Sequence, residues 1–202
     1  DFTLLNYLKL PDSKKKIEPS EFSGLKYLKK IFLPSSVDSI SSFAFKDTGL
    51  REISIPYTVK IIDEGVFIGC SSLKKVVIPS SVTSIEKDAF RACSSLEKIS
   101  IPANVVQIKE SSFGCCSSLK EITLPSSISR INEYSFFNCS SLSEVTVPSS
   151  VVSIRNDAFN GCSNLAKITF QKKLQHIGNA SFRNCKSLEQ LIIPSSVISI
   201  GI

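Results

Sequence analysis

Apolar residues recur along the chain at intervals of 23 positions, and three residue types keep this spacing in one common register. The prolines are Pro11, Pro34, Pro56, Pro79, Pro102, Pro125, Pro148 and Pro194, the phenylalanines are Phe22, Phe45, Phe67, Phe90, Phe113, Phe136, Phe159 and Phe182, and the isoleucines are Ile17, Ile40, Ile62, Ile85, Ile108, Ile131, Ile154, Ile177 and Ile200. The interval from Pro34 to Pro56 is 22, and Gln171 replaces one proline. A fixed period of this length is typical of a stacked repeat fold.

One unit shows which elements the pattern predicts. From Leu73 to Ile78 apolar and polar residues come to alternate, which predicts a short, half-buried strand. Pro79 cannot donate to a sheet ladder and ends that strand. After the Pro-Ser-Ser corner, Val82-x-x-Ile85 predicts a second side of the coil.

The segment that follows, residues 86–92, is polar on one side and is anchored by Ala89-Phe90, which predicts a short helical or 3-10 turn. Two residues after each phenylalanine we expect a positive φ, because glycine, asparagine and aspartate dominate there. These positions are Gly24, Asp47, Gly69, Ala92, Cys115, Asn138, Gly161 and Asn184. The 22-residue unit loses its residue at Thr48-Gly49-Leu50, so a corner absorbs the deletion.

A single coil cannot bury its apolar side alone, so the coils must stack. The sequence therefore predicts an α/β repeat solenoid, a right-handed stack of coils with a parallel β-sheet along one face and short helical or 3-10 turns and short strands elsewhere. We expect residues 1–202 to form a single solenoid domain of about eight 23-residue repeats. The chain begins and stops in the middle of a unit, so we expect a domain truncated at both ends.

The repeated unit has the form Leu-x-x-Ile-x-Ile-Pro-Ser-Ser-Val-x-x-Ile-x-x-x-Ala-Phe-x-x-Cys-Ser-Ser, which resembles the leucine-rich repeat of the BspA-like surface antigens over essentially the whole chain. The Pro-Ser-Ser-Val corner favours the protozoan branch of that class. The resemblance implies a leucine-rich-repeat solenoid, cell-surface display and adhesion to host cells or matrix proteins, without enzymatic activity. The departures are Gln171-Lys172-Lys173 in place of Pro-Ser-Ser, and Leu25 and Thr48 in place of the repeat cysteine.

Composition narrows the possible functions. The 202 residues carry a formal net charge of +6, with 42% apolar and 21% charged residues, which is a globular composition. No apolar run reaches the roughly 18–20 residues of a membrane-spanning helix, so we expect no direct membrane insertion. The basic triplet Lys14-Lys15-Lys16 lies in a corner and lacks the interleaved aromatic residues of a nucleic-acid-binding face, so we expect no nucleic acid partner.

Six of the seven cysteines lie at 23-residue steps and form one column, namely Cys70, Cys93, Cys116, Cys139, Cys162 and Cys185. A column spreads its thiols along the solenoid axis, whereas a metal site needs ligands that converge on one point. We therefore expect reduced, buried side chains rather than a metal ladder or disulfides. Cys115 lies outside the column and is the expected exposed thiol.

The remaining candidates give no support for catalysis. A general base needs a nucleophile and an orienting partner, but the serines here follow the repeat period as corner residues do, so His176, the one histidine, is expected at the surface or at a corner. No glycine-rich phosphate loop is present, and we expect no catalytic residue, cofactor or metal. Asn138 and Asn179 begin N-x-[ST] patterns, and whether either is glycosylated is left open.

The candidate partner-binding face consists of the two residues that follow each strand leucine. From the first full unit onward these pairs are Lys29-Lys30, Arg51-Glu52, Lys74-Lys75, Glu97-Lys98, Lys120-Glu121, Ser143-Glu144, Ala166-Lys167 and Glu189-Gln190. The first three pairs sum to +4 and the other five to −1. The candidate residues are Lys29, Lys30, Arg51, Lys74, Lys75 and Lys98.

This charge segregation is compatible with a partner that carries acidic groups, although drift among solvated positions also explains it. We expect a binding or adhesion module at the cell surface or in secreted form, contacting a host protein or glycan. The alternative is a cytoplasmic or cytoskeletal scaffold that uses the same solenoid as a spacer.

Overall fold

Each repeat forms one coil with two strands, because each apolar column pairs with the same column of the next coil. The computed structural model describes residues 4–202. The longer strands are β1 (Tyr7–Lys9), β3 (Lys30–Phe32), β5 (Glu52–Ser54), β7 (Lys75–Val77), β9 (Lys98–Ser100), β11 (Glu121–Thr123), β13 (Glu144–Val147) and β15 (Lys167–Phe170). The two-residue strands are β2 (Lys16–Ile17), β4 (Ser39–Ile40), β6 (Ile61–Ile62), β8 (Ser84–Ile85), β10 (Gln107–Ile108), β12 (Arg130–Ile131), β14 (Ser153–Ile154), β16 (His176–Ile177) and β17 (Ser199–Ile200).

All the strand pairs are parallel and join neighbouring coils. Tyr7 lies beside Lys30 in the longer strands, and Ile154 lies beside Ile177 in the short ones, in each case one period away. The chain is therefore a parallel β-solenoid of about eight turns, as the repeat period predicts. We number the coils one to eight by the phenylalanine of the 23-residue column that each contains, from Phe22 to Phe182.

The core is a set of side-chain stacks along the solenoid axis. The eight column phenylalanines stack in sequence, with adjacent ring centroids 5.2–5.7 Å apart and interplanar angles of 2–13°. The leucine, isoleucine and valine columns pack around them as one continuous cluster of buried residues. This arrangement buries the aromatic faces against one another, and such contacts stabilise a fold beyond their buried area.

The predicted helical or 3-10 turns are wrong, and so is the α/β class: among residues 4–202 the structure contains no helix. In the segment around each phenylalanine, successive backbone N–H groups instead donate alternately to a carbonyl of their own coil and to a carbonyl of the next coil. The Lys46 N–H donates within its own coil to the Phe43 carbonyl at 3.0 Å, whereas the Phe45 N–H donates to Val66 of the next coil at 2.9 Å. Because every second N–H bonds to the next coil, consecutive helical hydrogen bonds cannot form.

Two left-handed residues per coil produce this alternation. The predicted positive φ two residues after each phenylalanine is confirmed in all eight coils, with values from 54° to 80°. A second left-handed residue, which the sequence did not indicate, lies two residues before each phenylalanine, at Ser20, Phe43, Gly65, Asp88, Ser111, Tyr134, Asp157 and Ala180. The residue types at these eight positions have little in common, so no sequence signal marks them.

The 22-residue unit closes at its corner, as predicted. Gly49 takes the place of two serines, and its N–H donates to the Leu25 carbonyl at 3.1 Å. A Cβ atom on Gly49 would lie 1.9 Å from the Lys26 carbonyl oxygen, so only glycine fits this approach. Thr48 and Leu50 stay buried, and the core columns are undisturbed.

Candidate binding faces

The longer strands expose their first and third residues, because the middle residue of each points into the core. We call the outer surface of these strands the long-strand face. One of its columns contains Tyr7, Lys30, Glu52, Lys75, Lys98, Glu121, Glu144 and Lys167. The other contains Lys9, Phe32, Ser54, Val77, Ser100, Thr123, Thr146 and Thr169.

The structure places the six candidate partner-binding residues along this face. Lys30, Lys75 and Lys98 are the first residues of β3, β7 and β9. The other three, Lys29, Arg51 and Lys74, directly precede the strands and are exposed. Lys30 alone is half-buried. All six thus lie on coils two to five, on one side of the solenoid.

Two ion pairs on the long-strand face join neighbouring coils. Lys30 pairs with Glu52, and its ammonium also lies 5.0 Å from the centroid of the Phe32 ring. Lys120 donates to Glu97 with Nζ 2.9 Å from the carboxylate oxygen. The hydrogen bond from Lys30 lowers the pKa of Glu52, and the one from Lys120 lowers the pKa of Glu97. Both pairs are exposed, so their contribution to stability is small.

The other five candidate cations are not paired. Among residues 4–202, Lys29, Arg51, Lys74, Lys75 and Lys98 form no salt bridge within 4.0 Å. Their charged groups are therefore exposed to solvent on the long-strand face of coils two to five. An unpaired cluster of this kind attracts negatively charged partners and speeds their association.

Sequence reasoning missed the apolar side chains that accompany these cations. Tyr7, Phe32 and Val77 are 54%, 41% and 46% exposed, and the Tyr7 and Phe32 ring centroids lie 5.1 Å apart. The signal was available, because the third strand position in later coils holds Ser100 and a run of threonines instead. The long-strand face is therefore apolar and basic in its first coils and rich in hydroxyl groups in its later ones.

The column cysteines form hydrogen bonds between coils. Each thiol lies 2.9–3.2 Å from the backbone carbonyl oxygen of the phenylalanine one coil earlier. Burial raises the pKa of Cys70 to about 11 and that of Cys116 to about 12, and it raises the pKa of Cys93 well above its ordinary value. Such thiols are poor nucleophiles.

All seven cysteines are free. The predicted burial is confirmed for five of the six column cysteines. Cys185, in coil eight, is only half-buried. Thr48, which replaces the cysteine in coil two, donates to the Phe45 carbonyl and lies 3.2 Å from the Cys70 sulfur, so its hydroxyl joins the same column.

The other singled-out residues lie at the surface. His176 is exposed as predicted, with Nδ1 2.8 Å from the Ser199 hydroxyl oxygen. Cys115 is partly exposed, and Asn138 and Asn179 are exposed. Within residues 4–202 no group of three or more histidine, cysteine, aspartate or glutamate side chains could hold a metal ion. In the same range no helix is long and apolar enough to cross a membrane.

Solved structures with similar folds include bacterial leucine-rich repeat proteins. A leucine rich cell surface protein from Faecalibacterium prausnitzii is 27% identical, with a TM-score of 0.62. The match covers 92% of this chain and 59% of that protein. A leucine-rich repeat protein from Bacteroides ovatus is 26% identical, with a TM-score of 0.69, and the match covers 94% of this chain and 61% of that protein. The pneumococcal vaccine antigen PcpA is 23% identical and shares the fold, with a TM-score of 0.71, over 95% of this chain and 51% of its own.

This chain thus spans about three fifths of the first two of these proteins. No curated protein matches its sequence closely enough to count as a relative. The repeat units themselves match the family described as BspA type Leucine rich repeat region, in six copies that together span residues 2–119 and 84–202. The period, the stacked columns and this match agree over the length of the chain, which therefore belongs to the BspA-type leucine-rich repeat family.

Proposed function

We propose that this chain is a non-enzymatic binding module of a cell-surface or secreted protein, and that the first coils of its long-strand face contact an acidic surface of a host protein. Residues 1–202 would act in this role as one solenoid domain. The observation that supports the proposal is the cluster of unpaired cations beside exposed aromatic rings. The family and its neighbour from Faecalibacterium prausnitzii, which is described as a cell surface protein, support the location.

Charge supplies the first part of the argument. Lys29, Arg51, Lys74, Lys75 and Lys98 lie on adjacent coils and, within residues 4–202, form no salt bridge. An acidic partner surface would neutralise several of these charges at once, and like-charged proteins would be rejected. Because these charges are exposed, added salt would screen the attraction.

The apolar side chains supply the second part. Tyr7 and Phe32 contact each other, and Phe32 carries the Lys30 ammonium over its ring. Val77 lines the same shallow depression as Lys30 and Lys75. Aromatic anchors flanked by charges are typical of the residues that dominate binding energy at protein interfaces. This combination favours an acidic protein over a purely polar glycan on the long-strand face.

A peptide library displayed on phage tests the proposal without a known partner. Peptides selected on the wild-type chain should be enriched in aspartate and glutamate next to aromatic or aliphatic residues. Their affinity should fall at least tenfold in a variant carrying Lys74→Glu, Lys75→Glu and Lys98→Glu, and it should fall with added salt. The melting temperature should change little, since exposed charges contribute little to stability.

A matched control carries the same change in charge elsewhere. Lys26, Lys46 and Lys87 are exposed lysines outside the long-strand face, and reversing all three to glutamate should leave peptide affinity within about twofold. Selected peptides without acidic enrichment, or equal losses in the two triple variants, would show that the long-strand face is not the binding surface.

A further inference from the structure

A groove lined by both polar and apolar side chains lies on the two-residue strands, where β12, β14, β16 and β17 pair side by side. It has a volume of about 630 Å³, which is the size of a small-molecule site. Arg130, Ser153, Arg155 and His176 line it, together with Glu133 and the amides of Asn156, Gln175 and Asn179. None of these residues belongs to the long-strand face, so the groove is a separate surface.

Three groups that can donate hydrogen bonds lie in one row across the groove. Ser153 lies directly beside Arg130 on one side and His176 on the other, in consecutive coils. Arg155 follows two residues after Ser153 in the same coil. Ser153 is 9% exposed, whereas the two arginines and the histidine are exposed. Within residues 4–202 neither arginine forms a salt bridge.

Coil four shows one way in which a serine at this position is hydrogen-bonded. In coil four, three periods earlier, Ser84 occupies the position of Ser153 and donates its hydroxyl proton to the Glu86 carboxylate. Coil seven has Arg155 at the position of Glu86. Coil seven therefore has a cation at the position where coil four has the carboxylate that accepts from its serine. A carboxylate from outside the chain would restore the acceptor and neutralise the arginine.

We propose that this groove binds a carboxylated sugar. The guanidinium groups of Arg130 and Arg155 match a carboxylate through paired N–H donors, and the Ser153 hydroxyl supplies a further donor. Asn156, Gln175 and Asn179 offer both donors and acceptors for ring hydroxyl groups. Glu133 accepts hydrogen bonds only, so it suits a ligand whose carboxylate comes with hydroxyl donors and not a bare acidic side chain.

Calorimetric titration with glucuronic acid tests the proposal, with glucose and succinate as comparison ligands. Glucuronic acid should bind at least tenfold more tightly than either, since it alone combines the carboxylate with hydroxyl donors. Arg155→Glu should weaken glucuronic acid binding at least tenfold, because it recreates the internal serine–glutamate pair of coil four. Coil four shows that this pair is compatible with the fold. Arg155→Gln removes the charge more gently and should also weaken binding.

Lys60→Glu is the control with the same change from a cation to a carboxylate, since Lys60 is exposed, belongs to coil three and lies outside the groove. It should leave glucuronic acid affinity within about twofold. Equal weakening by Lys60→Glu, or no binding of glucuronic acid, would overturn the site. If succinate bound as tightly as glucuronic acid, the inference that the ligand is a sugar would be wrong. If glucose bound as tightly, the inference that the ligand carries a carboxylate would be wrong. The triple lysine reversal on the long-strand face should not affect this titration, so the two proposals can fail separately.

Discussion

The thiol of Cys93 donates a hydrogen bond to the backbone carbonyl of Phe67 in the preceding coil, with the sulfur 3.2 Å from the oxygen. The same carbonyl accepts the N–H of Cys70 at 3.1 Å. Each phenylalanine carbonyl from coil two to coil seven accepts such a pair of bonds, one from within its coil and one from the thiol of the next. The cysteine column is thus a polar ladder as well as a row of small apolar side chains.

This ladder predicts that the fold loses stability at alkaline pH. Burial raises the pKa of Cys116 to about 12 and that of Cys70 to about 11, above the ordinary value of 9.0. The unfolded chain therefore releases thiol protons above about pH 9 that the folded chain keeps. Above about pH 9 the unfolded state therefore binds fewer protons than the folded state. The contribution of each buried thiol to stability is complete below pH 9, and above it the free energy of unfolding falls by about 1.4 kcal/mol per pH unit for each buried thiol.

Urea unfolding between pH 7 and pH 11 measures this loss. A double variant with Cys116→Ser and Cys139→Ser has two fewer thiols to titrate, while lysine and tyrosine titration is unchanged. The free energy of unfolding of the variant should therefore fall less steeply with pH than that of the wild type. The difference between the two slopes should be about 3 kcal/mol per pH unit. Identical slopes for the wild type and the variant would show that the buried thiols are not protonated as described.

Thiol labelling should follow exposure. A bulky maleimide should modify Cys115 first and Cys185 second, because these two are partly exposed while the other five are buried. The five buried thiols should react only after unfolding, as a control in denaturant will show by labelling all seven. Cys115→Ser should remove the fastest phase. Rapid labelling of all seven in the native protein would contradict the buried column.

Truncation of the phenylalanine stack tests the core. Phe90 is fully buried between Phe67 and Phe113, with centroid distances of 5.3 and 5.5 Å, so Phe90→Ala should cost about 3–5 kcal/mol. Phe137 is a control in a neighbouring position of the repeat, since it is only half-buried and contacts Tyr134 edge to face. Phe137→Ala should cost about 1 kcal/mol by chemical denaturation. Similar losses in both variants would mean that the stack is not the centre of the core.

The period explains why so much of this fold could be predicted. Columns at 23-residue spacing define which residues pair between coils, so the strands, the buried thiols and the six cations of the long-strand face follow from the sequence. The turn beside Phe45 could not be predicted, because its N–H partner, the Val66 carbonyl, lies 21 residues away. The groove around Ser153 was missed because it depends on differences between coils four and seven, which a consensus conceals.

Deleting one unit should leave a folded, shorter solenoid. Removal of residues 80–102 joins Pro79 to Ala103. The Val106 N–H donates to the Thr83 carbonyl at 2.9 Å in the full chain, and after the deletion it would lie opposite the equivalent Lys60 carbonyl. Because stability in a repeat fold is a sum over neighbouring units, the shorter chain should unfold cooperatively at a lower temperature. Deleting residues 80–91 removes half a unit and should prevent folding, as circular dichroism will show. Equal behaviour of the two deletions would contradict the register described.

The short corner of coil two gives a final test of the repeat. A Cβ on Gly49 would lie 1.9 Å from the Lys26 carbonyl oxygen, so Gly49→Ser should cost about 3 kcal/mol. Gly24 has a positive φ of 76° but open space around it, so Gly24→Ala should cost about 1 kcal/mol.

Replacing Gly49 by two serines restores the 23-residue period and the Cys-Ser-Ser-Leu type of corner that Ser94 and Ser95 form in coil four. Because the longer corner moves the backbone away from the Lys26 carbonyl, this insertion should unfold at a temperature close to that of the wild type, well above Gly49→Ser. A two-serine variant as unstable as the single substitution would show that the close approach is not a consequence of the missing residue.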